Sequence, residues 1–171
     1  VVVPVGMRTS GSPGADGAAN LLAAMQVASS VISAGLGTVV VFNDEIHAAR
    51  FVRKRHTSST ATFGSPLTGP LGYVAEGKAK LLVSPLGRLV VRLPDVPHPG
   101  NVGLFSIGFD EDGRQLRAAV SGLDGLVLAA FGGGHVPARL RPLLEEVGRG
   151  IPVVLASRTF SGPPARSQSG I

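Results

Sequence analysis

Apolar and polar positions along the chain predict a strand, a helix and a second strand in its first 42 residues. Residues 1–5 are almost wholly apolar and β-branched, which is typical of a strand buried on both faces. Pro4 favours an edge strand or a strand end. Apolar residues recur at helical spacing over 18–33, and residues 38–42 predict the next strand. This order predicts a βαβ unit with two parallel strands.

The predicted helix has an apolar face and an uncharged polar face. We expect burial of the face that carries Leu21, Met25, Ala28 and Ile32. Because the opposite face bears no charge, burial on most sides is favoured, as in a helix that covers a parallel sheet. The polar residues 43–47 directly follow the second strand. The carboxyl ends of parallel strands are common ligand sites, so we predict a binding position there.

A loop and a hairpin follow in the first half of the chain. Residues 51–63 predict a loop rich in Arg, Ser and Thr, and 69–83 predict a hairpin that turns at Glu76 and Gly77. Four prolines then interrupt the stretch from 84 to 101, which favours a linker. We therefore predict a first domain over 1–84, a linker over 85–100 and a second domain over 101–171.

The second half repeats the alternation of strand and helix. Strands are predicted at 102–107, 125–130 and 152–156, and helices at 113–120 and 137–147. Strands that alternate with helices favour parallel sheets. The predicted fold class is therefore α/β, with three-layer parallel sheets in both parts.

Composition excludes several classes of function. The chain has no cysteine, which excludes disulfides, thiolate metal sites and a cysteine nucleophile. It has no apolar run of about 18 residues, so we expect no membrane association. The net charge is +5, but the basic residues are spread out and the aromatic residues are few, so a solvated basic surface is favoured over a nucleic-acid site. A cytoplasmic location fits the lack of cysteine.

Familiar site motifs are lacking. The four histidines do not pair at HxxxH spacing, so no metal site is expected, and no GxSxG elbow occurs. The glycines at 132–134, which precede His135, lack the nucleotide fingerprint and favour a tight turn. A non-catalytic α/β module that binds a small molecule at 43–47 and at this glycine loop stays open as an alternative, as does a basic nucleic-acid binder.

Lys54 is the most chemically suggestive residue, because Arg50, Arg53 and Arg55 surround it in sequence. Nearby positive charge and burial each lower the pKa of an amine. A lysine in such a place can act as a base that deprotonates a hydroxyl nucleophile. The same run also suits a solvated surface lysine, so the pattern alone does not choose between the two.

Several segments, in order, resemble those of the bacterial L-asparaginases (asparaginase/glutaminase family). They are Met7-Arg8, Ala15-Asp16-Gly17, Asn20-Leu21, residues 41–50, Lys54, Thr57, Phe63, Gly69-Pro70-Leu71-Gly72, residues 131–137 and Ser157-Arg158-Thr159. The likeness covers nearly the whole chain. It implies part of a larger N-terminal α/β domain, followed by part of a smaller C-terminal α/β domain.

The resemblance implies hydrolysis of L-asparagine to L-aspartate and ammonia, often with weaker glutaminase activity, by an oligomer that uses no cofactor. A threonine hydroxyl would attack the amide, and the lysine that assists it would be Lys54. Gly6 corresponds to an alanine whose carbonyl touches the substrate. His135 corresponds to a position where some members carry an asparagine that reaches a neighbouring subunit's site. Asp16 also matches a family position, which an N-cap role explains.

Two family segments are not found in these 171 residues: a TGGTI-like segment with one catalytic threonine, and a TDT segment with the other threonine and the aspartate. The final helices of the family's C-terminal domain are not found either. We therefore expect the chain to be an internal fragment that is inactive alone, while its full-length parent is active. Its mean hydropathy of +0.31 also leads us to expect aggregation or dependence on a partner.

Overall fold

The computed structural model describes residues 1–84, 87, 90, 100–159 and 161–162. The chain divides into two compact units, Val1–Arg92 and Leu93–Ile171. This division falls within the predicted linker 85–100, nearly all of which lies outside the described residues. The exact domain bounds therefore stay a prediction. No helix in the described ranges is long and apolar enough to cross a membrane.

Within the described residues, the first unit contains one α-helix, a 3₁₀ turn at Val31–Ser33 and seven short strands. These elements are β1 (Val2–Pro4), α1 (Gly17–Ser29), β2 (Val39–Phe42), β3 (Glu45–Ala48), β4 (Arg53–Lys54), β5 (Phe63–Gly64), β6 (Gly72–Ala75) and β7 (Lys78–Leu81). The five-stranded sheet has the order β1-β2-β3-β6-β7, and β4 and β5 form a separate two-stranded ribbon.

The predicted parallel pairing holds only at the start of this sheet. β1 and β2 are parallel across α1, which confirms the βαβ unit. The pairs β2–β3, β3–β6 and β6–β7 are antiparallel, and the last of these confirms the predicted hairpin. The cause is a two-residue turn in which Asn43 and Asp44 have φ of 50° and 58°. Left-handed φ at both turn residues is typical of the tight hairpin turn, so residues 43–47 form a hairpin rather than an open loop.

The predicted buried face of α1 is wrong. The buried residues are Asn20, Ala23, Ala24 and Val27. Leu21 and Met25 are 51% and 60% exposed. Apolar side chains occur on several sides of this helix, so their periodicity alone could not identify the side that packs against the sheet. The alanine stripe lets the helix lie close to the β-branched strands beneath it.

The first strand also differs from its prediction. β1 lies at the edge of the sheet, as Pro4 indicated. Burial on both faces was wrong, because Val1 and Val3 are exposed. An edge strand has a neighbour on one side only, so fewer side chains cover it.

Strands β2 and β3 have packed side chains on both faces of the sheet. Val39, Val41 and Ile46 belong to the apolar core that contains the α1 alanines. Because side chains alternate along a strand, Phe42 and His47 face the other side. There the rings of Phe42 and Phe63 meet edge-to-face at 5.2 Å and 73°. The β4–β5 ribbon therefore lies on the sheet face opposite α1.

The second unit is a parallel α/β unit, as predicted. It comprises β8 (Val102–Ser106), α2 (Arg114–Ala119), β9 (Gly125–Ala130), a 3₁₀ turn (Ala138–Leu140), α3 (Arg141–Gly150) and β10 (Val153–Ser157). The strand order is β10-β9-β8, with both pairs parallel. Leucines of α2, α3 and β9 form one core. The other sheet face leaves Leu104 and Val154 exposed, so the described residues show two of the three predicted layers.

Two leucines of this sheet provide a matched test of the core. Leu128 is fully buried, whereas Leu104 is 74% exposed. We expect Leu128→Ala to lower the free energy of unfolding by about 2–5 kcal/mol, through lost burial and the cavity left behind. Leu104→Ala should change it by about 0.5 kcal/mol or less. Urea unfolding followed by circular dichroism measures both, and equal effects would contradict the assigned core.

Candidate functional site

A buried amide joins the carboxyl ends of β1 and β2 to the first turn of α1. Asn20 is 5% exposed. Its Nδ2 donates to the Val5 carbonyl oxygen at 2.7 Å and to Asp16 Oδ2 at 3.2 Å. Its Oδ1 accepts from the Asn43 amide at 2.9 Å. These contacts fix the strand ends relative to one another.

Asp16 fixes the loop that contains Gly6. Its carboxylate accepts from the amides of Arg8 at 2.8 Å and Met7 at 3.0 Å. These hydrogen bonds hold the pKa of Asp16 below its ordinary value, and the bond from the Arg8 amide has the largest effect. The N-cap role predicted for Asp16 is wrong: it occupies the N-cap position, but its side chain caps no amide of the helix. A Cβ at Gly6 would lie 3.2 Å from the Cα of Gly17, so the loop approaches the helix start closely.

Lys54 lies on the two-stranded ribbon. In the register of this ribbon Lys54 pairs with Phe63, and Arg53 with Gly64. The Arg55 amide extends the ladder by donating to the Thr62 carbonyl oxygen at 2.7 Å. Lys54 is exposed. Since side chains alternate along a strand, its amine lies on the ribbon face opposite Arg55.

The loop that joins the two ribbon strands is closed by its own polar contacts. Thr62 is fully buried and exchanges hydrogen bonds with the backbone of His56. Nδ1 of His56 accepts from the amides of Ser58 at 3.1 Å and Ser59 at 3.0 Å. These contacts define the loop end of the Lys54 ribbon.

A pocket of about 260 Å³ lies between the ribbon and β3. Its lining residues are Asn43, Glu45, His47, Arg55, Ala61, Phe63, Gly64, Ser65, Gly69 and Pro70. Three residues of the predicted binding stretch 43–47, Asn43, Glu45 and His47, therefore do lie on one concave surface.

His47 lies between a carboxylate and a hydroxyl in this pocket. Its Nε2 is 3.1 Å from Glu45 Oε2, and its Nδ1 is 3.1 Å from Ser65 Oγ. The imidazole is 1% exposed. Burial lowers the pKa of His47, and the charge and hydrogen bond of Glu45 partly oppose that effect. The neutral imidazole is thus the form that this site favours.

His135 belongs to the second unit. It follows the glycines in the loop after β9, where its carbonyl accepts from the Phe131 amide at 3.0 Å and the Gly134 amide donates to the Phe131 carbonyl at 2.7 Å. Gly134 has φ of 95°, a value that favours glycine. This confirms the tight turn predicted for the glycines at 132–134. His135 is exposed.

The structure brings some of the predicted site residues close together and shows further residues, Asn20 and Ser65, that contact them. The Asn20 amide links the Gly6 loop to Asn43, while Lys54 stands on the neighbouring ribbon. Sequence reasoning did not find the roles of Asn20 and Ser65. Asn20 had a weak signal, as a polar residue in a helix whose buried stripe is otherwise apolar, and Ser65 had none. Within the described ranges no group of three His, Asp or Glu side chains could hold a metal ion.

The Asn20 network can be tested by removing its amide. We expect Asn20→Ala to lower the free energy of unfolding by about 2–4 kcal/mol, since the Val5 carbonyl and the Asn43 amide both lose a partner. Ser29→Ala, on the exposed side of α1, should change it by less than about 0.5 kcal/mol. Urea unfolding of the two variants compares them. A loss equal to that of the control would show that the amide does not hold the strand ends.

Known proteins resemble this chain along both units. Residues 1–86 match the family description "Asparaginase, N-terminal", and residues 101–170 match "Glutaminase/Asparaginase C-terminal domain". The probable L-asparaginase of Deinococcus radiodurans is 37% identical over 165 residues, which cover 95% of this chain and 50% of that protein. L-asparaginase 2 of Escherichia coli is 35% identical over 170 residues, which cover 94% and 48%.

Two further matches extend the likeness. The glutaminase-asparaginase of Pseudomonas aeruginosa is 32% identical over 168 residues, covering 95% of this chain and 46% of that protein. The crystal structure of a probable cytoplasmic L-asparaginase from Campylobacter jejuni matches with a TM-score of 0.85 and 27% identity, over 94% of this chain and 54% of that chain. The chain thus spans about half the length of the curated relatives it matches. Both family descriptions match in order and fill most of its length, so the chain belongs to the asparaginase/glutaminase family.

Proposed function

We propose that this chain is part of an asparaginase-type amidohydrolase that converts L-asparagine and water to L-aspartate and ammonia. The observation that carries the proposal is the ordered match of both family domains along nearly the whole chain. The names of the relatives, L-asparaginase and glutaminase-asparaginase, agree with it.

In this proposal Lys54 takes part in the chemistry. A threonine hydroxyl from outside these 171 residues attacks the side-chain amide, and the Lys54 amine holds or accepts the hydroxyl proton. An aspartate, also from outside, offsets the charge of the resulting ammonium. The exposed amine on one face of the ribbon supports this role, because a group from another segment can reach it.

Gly6 and His135 have supporting roles in the proposal. The Gly6 carbonyl contacts the substrate, and the Asp16 hydrogen bonds to Met7 and Arg8 hold the loop that presents it. His135 lies on a defined turn of the second unit and extends toward the site of a neighbouring subunit in a homo-oligomer. No cofactor takes part. A cytoplasmic location stays a prediction, since the names of similar proteins include both "cytoplasmic" and "periplasmic".

The role of Lys54 predicts a selective loss of turnover. In the full-length protein, Lys54→Met should lower kcat for L-asparagine by at least about 100-fold, the usual contribution of a positioned acid–base group. Lys78→Met removes an exposed lysine of β7 and should leave kcat within about twofold. Ammonia release measured over a range of asparagine concentrations gives both values. If Lys54→Met turned over like the control, Lys54 would have no catalytic role.

The chain alone should not catalyse the reaction. A lysine without a nucleophile cannot cleave an amide by this route, so we expect no ammonia release by the 171-residue chain above the uncatalysed rate. The full-length protein at the same molar concentration is the positive control. Turnover by the isolated chain would show that the nucleophile lies within it.

A further inference from the structure

The ribbon that carries Lys54 depends on side chains for its position. β4 and β5 have two residues each and form a sheet of their own, separate from the five-stranded sheet. A two-stranded ribbon of this length is not stable by itself in water. Contacts with the face of the main sheet must therefore fix the place of the lysine.

His47 makes a polar contact between this face and the residue that follows the ribbon. It stands on β3, on the side opposite α1, and its ring is 1% exposed. Ser65, whose hydroxyl lies 3.1 Å from Nδ1, directly follows β5. The Ser65 carbonyl also accepts from the Gly69 amide at 2.8 Å, so this residue anchors the loop that leaves the ribbon.

The hydrogen-bonding roles at His47 follow from its partners. An ionised carboxylate only accepts hydrogen bonds, so Nε2–H donates to Glu45. The neutral ring then offers Nδ1 as an acceptor, and the Ser65 hydroxyl donates to it. Glu45 thereby fixes the tautomer that binds Ser65.

The contact between His47 and Ser65 is connected to Lys54 through two residues of β5. Ser65 follows Gly64 and Phe63, and Phe63 is the cross-strand partner of Lys54. The edge-to-face contact of Phe63 with Phe42 supports the same strand from below. A shift of Ser65 would therefore move the backbone to which Lys54 is paired.

We propose that His47 is a positioning residue that holds the Lys54 ribbon in its catalytic place through Ser65, with Glu45 setting its tautomer. The inference rests on the proposed role of Lys54. In this scheme His47 and Ser65 touch no reacting atom and act through the backbone of the ribbon.

Protonation of His47 would break this contact. Nδ1 would become a donor, and the Ser65 hydroxyl would lose its acceptor. The charged residues that line the pocket with His47 are Glu45 on its own strand and Arg55 from the ribbon. On β2, Val40 lies opposite His47, and the loop 65–70 contains no charged residue. The folded pKa of His47 lies below the ordinary value of 6.5. Its contribution to stability is therefore complete above pH 6.5 and is lost as the pH falls through the lowered value.

The test uses four variants of the full-length protein. His47→Asn keeps an amide oxygen near the place of Nδ1, whereas His47→Gln keeps a polar group near the place of Nε2. Ser65→Ala removes the hydroxyl, and Ser29→Ala is the matched control on the exposed side of α1. We expect His47→Gln and Ser65→Ala to lower kcat at least about 10-fold with KM within about twofold.

Rescue and the pH profile separate positioning from general stability. His47→Asn should retain kcat within about threefold of the wild-type value. Because an amide does not titrate, any fall of kcat at low pH that arises from His47 should be absent in this variant. Ser29→Ala should match the wild type. If His47→Gln fails to fold, the positioning role is tested by Ser65→Ala alone. That variant should then show both the loss of kcat and faster hydrogen exchange at the Arg55 amide.

The two levels of the proposal fail differently. Turnover unchanged by Lys54→Met would overturn the role of Lys54, and this inference with it. Loss of turnover in Lys54→Met, with His47→Gln and Ser65→Ala both like the wild type, would overturn only the positioning role. An acid limb that persists unchanged in His47→Asn, with no kcat loss in Ser65→Ala, would also overturn it.

Discussion

The tight turn at Asn43 and Asp44 is the constraint on which the first unit depends. Its two left-handed residues fix the register in which Phe42 faces Glu45 and Val40 faces His47. A slip of one residue would reverse the face of every side chain in β3 and place His47 in the apolar core. The turn also supplies the Asn43 amide that binds the buried Asn20.

This register gives the sheet two faces with different chemistry. The α1 face is filled by valine, isoleucine and alanine, whose burial stabilises the unit by roughly 25 cal/mol for each Å² of apolar surface. The ribbon face contains a buried imidazole, which costs free energy unless its nitrogens are bonded. Glu45 and Ser65 supply those bonds, and no buried polar side-chain atom of the described residues lacks a partner. Polar contacts therefore give the ribbon face its specificity, while apolar packing supplies stability from the other side.

Much of the architecture could be predicted from local sequence. Turn residues and β-branched runs located the 72–81 hairpin and the parallel strands of the second unit, because each signal depends on neighbours in the chain. The buried face of α1 could not be predicted. Leu21 and Ala24 both lie on apolar stripes, and only the space above β1 and β2 favours the smaller side chains. Asp16 is similar: its place before a helix predicted a cap, but the amides of Met7 and Arg8 lie closer to its carboxylate.

The sequence by itself determined the α/β class, the resemblance to the asparaginases and the choice of Lys54 as the candidate catalytic residue, since residue identity and order contain that information. Only the tertiary structure decided that Lys54 stands on a ribbon separate from the main sheet, and that His47 and Ser65 meet beneath it. These residues are 18 positions apart. Contacts over such separations depend on strand register and on which faces are covered, and neither quantity is specified by a local pattern of hydrophobic and polar residues.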